Sequence, residues 1–285
     1  MFHNRLLSSA LFLLLTGMVS QHAKAGFLVF EGTGADPASI QATVDSYRAA
    51  LGTLNPNTPV SFPNGRREIN WDGVPDAFSD NNAFPGNFFN GIVAGRARGI
   101  EFSTPGTGLL VSADSSNPSS TPISFGFPLD FIPFSAQRMF SPTGSNILDI
   151  NFFVPGTTDP ASVTGFGAVF NDVELAGITT MEVFGIDGSS LFIRSVLVVP
   201  ASGGLSFLGV QADAGERIGR IRLSLGDASL QSNGNFSGGS DGVVLDDFIY
   251  AEPQAIVPEP ASVTLVALGI VGLFGYSVRR RKGSV

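Results

Sequence analysis

The chain has 285 residues, 24 acidic and 16 basic, for a net charge of -8, with two histidines and no cysteine. Both histidines (His3, His22) and both lysines (Lys24, Lys282) lie in the end segments, so residues 26–260 hold no His, Cys or Lys. That stretch cannot build a Ser-His-Asp or Cys-His nucleophile system, a zinc site of imidazole or thiolate, a Schiff-base lysine or a disulfide.

All 24 acidic residues fall between Gly26 and Pro260 beside ten arginines, so this stretch carries about -14. A surface of that sign argues against nucleic acid or anionic lipid as partner and is compatible with calcium or neutral glycans. Its 235 residues suit one large all-β domain or two small ones.

In chain order, the first element is an export signal. Arg5 precedes an apolar run over 6–19, and Ala23 and Ala25 are the small residues a signal peptidase reads. This predicts a cleavable signal over 1–25 with Gly26 as the first mature residue. A helix follows over 37–51. Asp36 is placed to cap it, Pro37 suits its first turn, Gly52 can end it, and Ile40, Val44, Tyr47 and Leu51 share one face. Residues 53–95 are rich in Pro, Asn and Gly and read as irregular.

Beyond them the pattern is strand-like. Short β-branched and aromatic runs alternate with turn residues, at 27–30, 99–102, 109–112, 123–127, 147–154, 165–170, 180–184, 191–199, 205–210, 218–225 and 243–250. Ile221, Leu223 and Leu225 alternate with Arg220, Arg222 and Ser224, which predicts one apolar and one wet face. Asp187-Gly188 is a hairpin-turn signal. Of the 25 phenylalanines, 22 lie in 26–260, so a phenylalanine-rich core replaces disulfide support. The expected fold class is mainly β. It is a jelly-roll-like β-sandwich over 26–252 with one short N-terminal helix, a Pro-rich linker over 253–260, a transmembrane helix over 261–278 and a basic tail over 279–285.

Two constellations are candidate sites. In the first, Glu31 on the opening strand and Asp246 and Asp247 on the closing strand could share a structural calcium ion, if those strands are neighbours. One Asp of the closing strand must point inward, and an arginine such as Arg222 or a backbone donor would serve it equally well. The second is the loop carrying Trp71, the only tryptophan, with Asp72, Asp76, Asn70, Arg66 and Arg67. The mixture suits sugar binding, with the ring stacked on a pyranose face. The alternative is a tight turn with Trp71 plugging the core. A periodic threonine array of the ice-binding kind is absent from the sequence, and chance pairs among 24 acids give no specific catalytic signal.

The C-terminal segment is the most specific. Residues 261–278 carry no charge and would reach about 27 Å as a helix, enough to cross a thin hydrocarbon core. Arg279, Arg280, Arg281 and Lys282 follow, and basic charge stays on the cytoplasmic side, which places 26–260 outside. Val257-Pro258-Glu259-Pro260, the Gly-containing apolar helix and the basic cluster together resemble the PEP-CTERM sorting signal. The resemblance implies recognition of Pro258, Glu259 and Pro260 by an exosortase-type membrane peptidase or transpeptidase. It also implies an association with exopolysaccharide and biofilm, and a temporary inner-membrane hold before delivery to the cell surface or exterior. The stretch Arg67-Glu68-Ile69-Asn70-Trp71-Asp72-Gly73 resembles a segment of other exported proteins with this tail and implies no activity. By pattern alone, the exported part is similar to galactose-binding and carbohydrate-binding-module domains. The expected function is a non-catalytic binding or structural module with extracellular polysaccharide as partner. The alternative is a carboxylate-dependent polysaccharide hydrolase or lyase.

Overall fold

The computed structural model describes residues 26–116, 122–200 and 202–256. The export signal with Ala23 and Ala25, the sorting motif, the apolar segment 261–278 and the basic tail lie outside the described residues.

The helix forms where its signals place it. Helix α1 spans Pro37–Leu51, with Pro37 in its first turn and the Asp36 carboxylate accepting from the Ser39 amide at 2.9 Å. Gly52 ends it at a φ of 94°, a left-handed region that glycine enters without strain. Ile40, Val44, Tyr47 and Leu51 are buried, as the spacing predicts.

The strands in chain order are β1 (Phe27–Gly34), β2 (Arg66–Ile69), β3 (Ile100–Ser103), β4 (Gly108–Val111), β5 (Phe140–Thr143), β6 (Ile147–Phe152), β7 (Ala161–Ser162) and β8 (Gly165–Asn171). They continue with β9 (Thr180–Gly185), β10 (Ser190–Ser195), β11 (Leu205–Ala212), β12 (Ile218–Ser224), β13 (Ser229–Leu230), β14 (Phe236–Ser237), β15 (Val244–Ala251) and β16 (Gln254–Ala255). A nine-stranded sheet runs β1-β11-β8-β15-β5-β13-β14, with β2 also on β15 and β4 also on β5. A five-stranded sheet runs β10-β9-β12-β6-β3, and β16 pairs β7. The β9–β10 hairpin turns through Asp187-Gly188, where the Gly188 amide bonds the Gly185 carbonyl at 3.0 Å. On β12, Ile221 and Leu223 are buried and Arg220 and Arg222 are not, as the alternation predicts.

One core joins the two large sheets. Phe102 of β3 meets Phe140 of β5 at 5.2 Å and Phe248 of β15 at 5.8 Å, and Phe152 of β6 meets Tyr250 of β15 at 5.9 Å. Trp71 stacks on Phe140 with centroids 4.1 Å apart and an interplanar angle of 4°. On the far side, α1 covers the large sheet. Tyr47 lies against Phe30 and Phe207, and its hydroxyl donates to the Val210 carbonyl at 3.0 Å. Gly167 and Gly209 make room for that ring, because a Cβ at either would lie within 2.9 Å of it. Covered on both faces, β8 is buried along its whole length.

Three expectations need correction. Residues 124–126 form a 3-10 turn rather than a strand, with Ser124 and Phe125 at φ of 49° and 56°. The supposedly irregular 53–95 contains β2, which pairs residue for residue with β15. The fold does not stop at 252, because β16 lies inside the segment read as a linker.

The stacked ring yields a first test. Trp71→Ala should lower the unfolding free energy by about 3–5 kcal/mol in urea titrations followed by far-ultraviolet circular dichroism. A loss below about 1 kcal/mol would mean that the ring is not packed as seen here.

Candidate functional site

The site is organised by residues 66–71, which alternate between core and surface. Arg67, Ile69 and Trp71 point inward, and Arg66, Glu68 and Asn70 point outward. Arg67 is 0% exposed and makes a two-pronged pair with Glu252, Nε to Oε2 at 2.8 Å and Nη2 to Oε1 at 2.7 Å. Its remaining N–H groups donate to the carbonyls of Ala97 and Val60, while Glu252 also accepts from Asn55 and the Phe62 amide. Two buried charges are tolerable when the guanidinium makes four hydrogen bonds and both carboxylate oxygens are served in this way. The Trp71 Nε1–H donates to the Asp246 carbonyl at 3.0 Å, which ties the loop to β15.

Two of the outward residues, Glu68 and Asn70, line a cleft of about 420 Å³ between α1, β2, β15 and the loop after residue 130. Its walls include Gln41, Arg48, Asn57, Glu68, Asn70, Arg98, Ser135 and Asp247, with Leu54 and Phe134 as apolar surface. Arg48 reaches in from α1 and bonds Glu68 through Nε at 3.1 Å and Nη2 at 3.0 Å. The same Nη2 lies 3.3 Å from Asp247 Oδ2. Ser135 donates to Asp247 Oδ1 at 2.7 Å. The Asn57 side-chain oxygen is buried and finds no donor among the described residues. Densely placed charged and amide groups beside a small apolar surface can exchange hydrogen bonds with a polyhydroxylated ligand.

Asp247 enters the cleft because β15 bulges. Leu245 pairs with Phe170 and Phe248 with Ala168, so β15 carries one extra residue across this step. A bulge re-aims side chains, and here both consecutive aspartates are buried. Asp246 accepts from the Phe134 amide at 2.6 Å, while its Oδ1 has no hydrogen-bond partner among the described residues. Burial, reinforced by the adjacent Asp247 charge, raises the Asp246 carboxyl well above its ordinary range. Burial pushes Asp247 up to about 6, against the pull of Ser135 and Arg48. The fold therefore favours both protonated forms. For Asp247 the stabilisation is complete below the unfolded value near 4 and is lost as pH rises through about 6, while for Asp246 it persists further up the pH scale. Between pH 4 and pH 7 the wild type should lose about 2 kcal/mol more than Asp247→Asn in paired denaturant titrations. Parallel stability curves would refute the assignment.

The residues singled out from sequence are distributed differently from expectation. Trp71 is 1% exposed and Arg67 is fully buried, so neither can face a sugar; the core-plug alternative holds. Asp72 accepts from the Arg138 amide at 3.0 Å, and Asp76 pairs with the Arg138 guanidinium at 2.6 Å. The shared-calcium geometry also fails. β1 pairs β11 and lies three strand spacings, about 14 Å, from β15. Glu31 is instead clasped by Arg194 at 2.8 and 2.7 Å. Arg222 serves Asp149 rather than Asp246, whose partner is the Phe134 backbone. Among the described residues, no group of three or more His, Cys, Asp or Glu is arranged to hold a metal ion. Sequence reading missed Arg48, Glu68 and Ser135, whereas Asn70, one of the polar residues grouped with Trp71, does line the cleft. The alternation Arg66 to Trp71 could have turned Glu68 and Asn70 outward, but no local signal marks Ser135.

Both ends of the described fold emerge at one pole. Gly26 lies against the β11–β12 turn, with its carbonyl accepting from Asp213 at 3.1 Å. Ile256 bonds Pro160, β16 pairs β7, and Ser162 of β7 binds Arg217 at the start of β12. Pro258 is thus two residues beyond the last described contact. Among the described residues no helix is long and apolar enough to cross a membrane.

No curated protein and no solved structure matches the chain, so the jelly-roll and carbohydrate-binding likeness gains no support from them. The model of the PEP-CTERM protein-sorting motif matches residues 257–282. The chain therefore carries that motif at its C-terminus, which marks an exported protein processed by an exosortase-type enzyme.

Proposed function

We propose that this protein is a non-catalytic β-sandwich module of the extracellular polymer, which binds a neutral polysaccharide through the cleft around Glu68, Asn70 and Asp247. The observation that carries the proposal is the sorting motif at 257–282. The cleft supports it with charged and amide groups on three elements and an unserved Asn57 oxygen. The net negative charge of the exported part disfavours anionic polymers. The pole where Gly26 and Ile256 emerge would face the membrane while the precursor is held by its C-terminal segment. After processing the product resides at the cell surface or outside.

A second reading, a carboxylate-dependent hydrolase or lyase, draws on Asp247, whose carboxyl is pushed up to about 6 across the cleft from Glu68. The position of Arg48 disfavours it. Its Nη2 sits 3.0 Å from Glu68 and 3.3 Å from Asp247, where a scissile bond would have to lie.

Two outcomes are expected of the full chain in its own host. Replacing Pro258, Glu259 and Pro260 by alanine should leave the protein unprocessed in the membrane fraction, and normal processing would sink the sorting assignment. In pull-downs with the host's exopolysaccharide, Glu68→Ala with Asn70→Ala should weaken retention at least about tenfold, while reducing ends stay constant. Retention unchanged by the variants would discard the cleft as the site, and release of reducing ends by the wild type alone would favour the hydrolase.

A further inference from the structure

The first described residue is also the first residue expected after export-signal removal, and its surroundings are unusual. The Gly26 backbone nitrogen donates to Glu216 Oε1 at 3.0 Å. The other Glu216 oxygen accepts from the Ala214 amide at 3.1 Å, which braces the carboxylate in the β11–β12 turn. Asp213 Oδ1 lies so close to Gly26 that a Cβ there would collide with it. One carboxylate thus holds the Gly26 nitrogen and a second, that of Asp213, lies against the same residue. Nearby cations are engaged elsewhere. Arg217 turns to Ser162 Oγ and O at 3.0 and 2.8 Å, and Arg194 clasps Glu31.

An amide nitrogen gains little from two carboxylates; an ammonium gains much more. We propose that the β11–β12 turn is a docking site for the α-ammonium group of Gly26, created when the export signal is cut away. This rests on the reading of the chain as an exported protein. Hydrolysis of the Ala25–Gly26 peptide bond consumes one water, leaves a carboxylate on Ala25 and frees the Gly26 amine, which takes up a proton below its pKa. The new cation pairs with Glu216 and Asp213 and fastens the start of β1. That strand is the edge of the large sheet. Side chains already hold it to β10 through the Phe27–Phe192 contact at 5.1 Å and the Glu31–Arg194 pair. Removal of the signal thus adds an ion pair that the precursor cannot form, and the processed domain becomes more stable than its precursor.

The composition makes the test selective. With no lysine in 26–260, the Gly26 amine is the only primary amine of that stretch, and Lys282 is the only other one after the signal has gone. The full chain would be produced in a host that processes it, and its start read by mass spectrometry. Its amines would be labelled by reductive 13C-methylation and titrated by NMR, where a retained Lys282 appears separately near 10.4. The expected result is a start at Gly26 and an α-amine that titrates at higher pH than in Glu216→Gln, with Asp213→Asn in between. A different start would overturn the cleavage assignment. A Gly26 start with identical titrations in wild type and Glu216→Gln would overturn the docking site while leaving export intact.

Discussion

The buried ion pair between Arg67 and Glu252 sets the conditions for the rest of the fold. Moving two charges out of water costs several kcal/mol per ion, and an incomplete partner set would unfold the region. The cost is offset because the carbonyls of Val60 and Ala97, Asn55 and the Phe62 amide complete the shell. With Arg67 fixed, β2 has a single register on β15, Arg67 opposite Tyr250 and Ile69 opposite Phe248. A slip by one residue would send Glu68 and Asn70 into the core. The cleft follows from a constraint that lies behind it.

The same register carries Trp71 to the junction of the two sheets, where it stacks on Phe140 and meets Phe248 edge-on at 5.2 Å. A chain without cysteine depends on such contacts, since no cross-link restrains its unfolded state. Core and cleft also meet at the bulge in β15. Asp246 faces inward toward the Phe134 amide, and Asp247 turns to Arg48 and Ser135. The cleft is therefore built on strand and helix rather than on loops alone, which suits a site that must hold its shape.

Legibility in the sequence followed the range of the interactions. Helix α1 was readable in full, because its cap, proline, terminal glycine and spacing are all local. Most long strands were readable by alternation, as on β12. β5 was not, because Ser141-Pro142-Thr143 looks like a strand breaker, yet Pro142 is accommodated opposite Leu109 of the short β4. β2 was hidden in a run of Pro, Asn and Gly that belongs to its neighbours. The calcium hypothesis failed on topology: nothing local reveals that β11 and β8 separate β1 from β15. The Trp71 hypothesis had the right segment and the wrong face, so the residues that line the cleft are its sequence neighbours. The sorting motif was legible because it is linear, and it lies where the family model places it.

The account turns on the Arg67–Glu252 pair, and a double-mutant cycle measures it directly. Arg67→Met and Glu252→Leu would be made singly and together, and their unfolding free energies compared. Each single change should cost about 3–5 kcal/mol, because it strands the opposite charge in the interior, and the double variant should recover a large part of the sum. Single losses below about 1 kcal/mol that simply add would contradict it: the pair would not set the register of β2, and the cleft would need another origin.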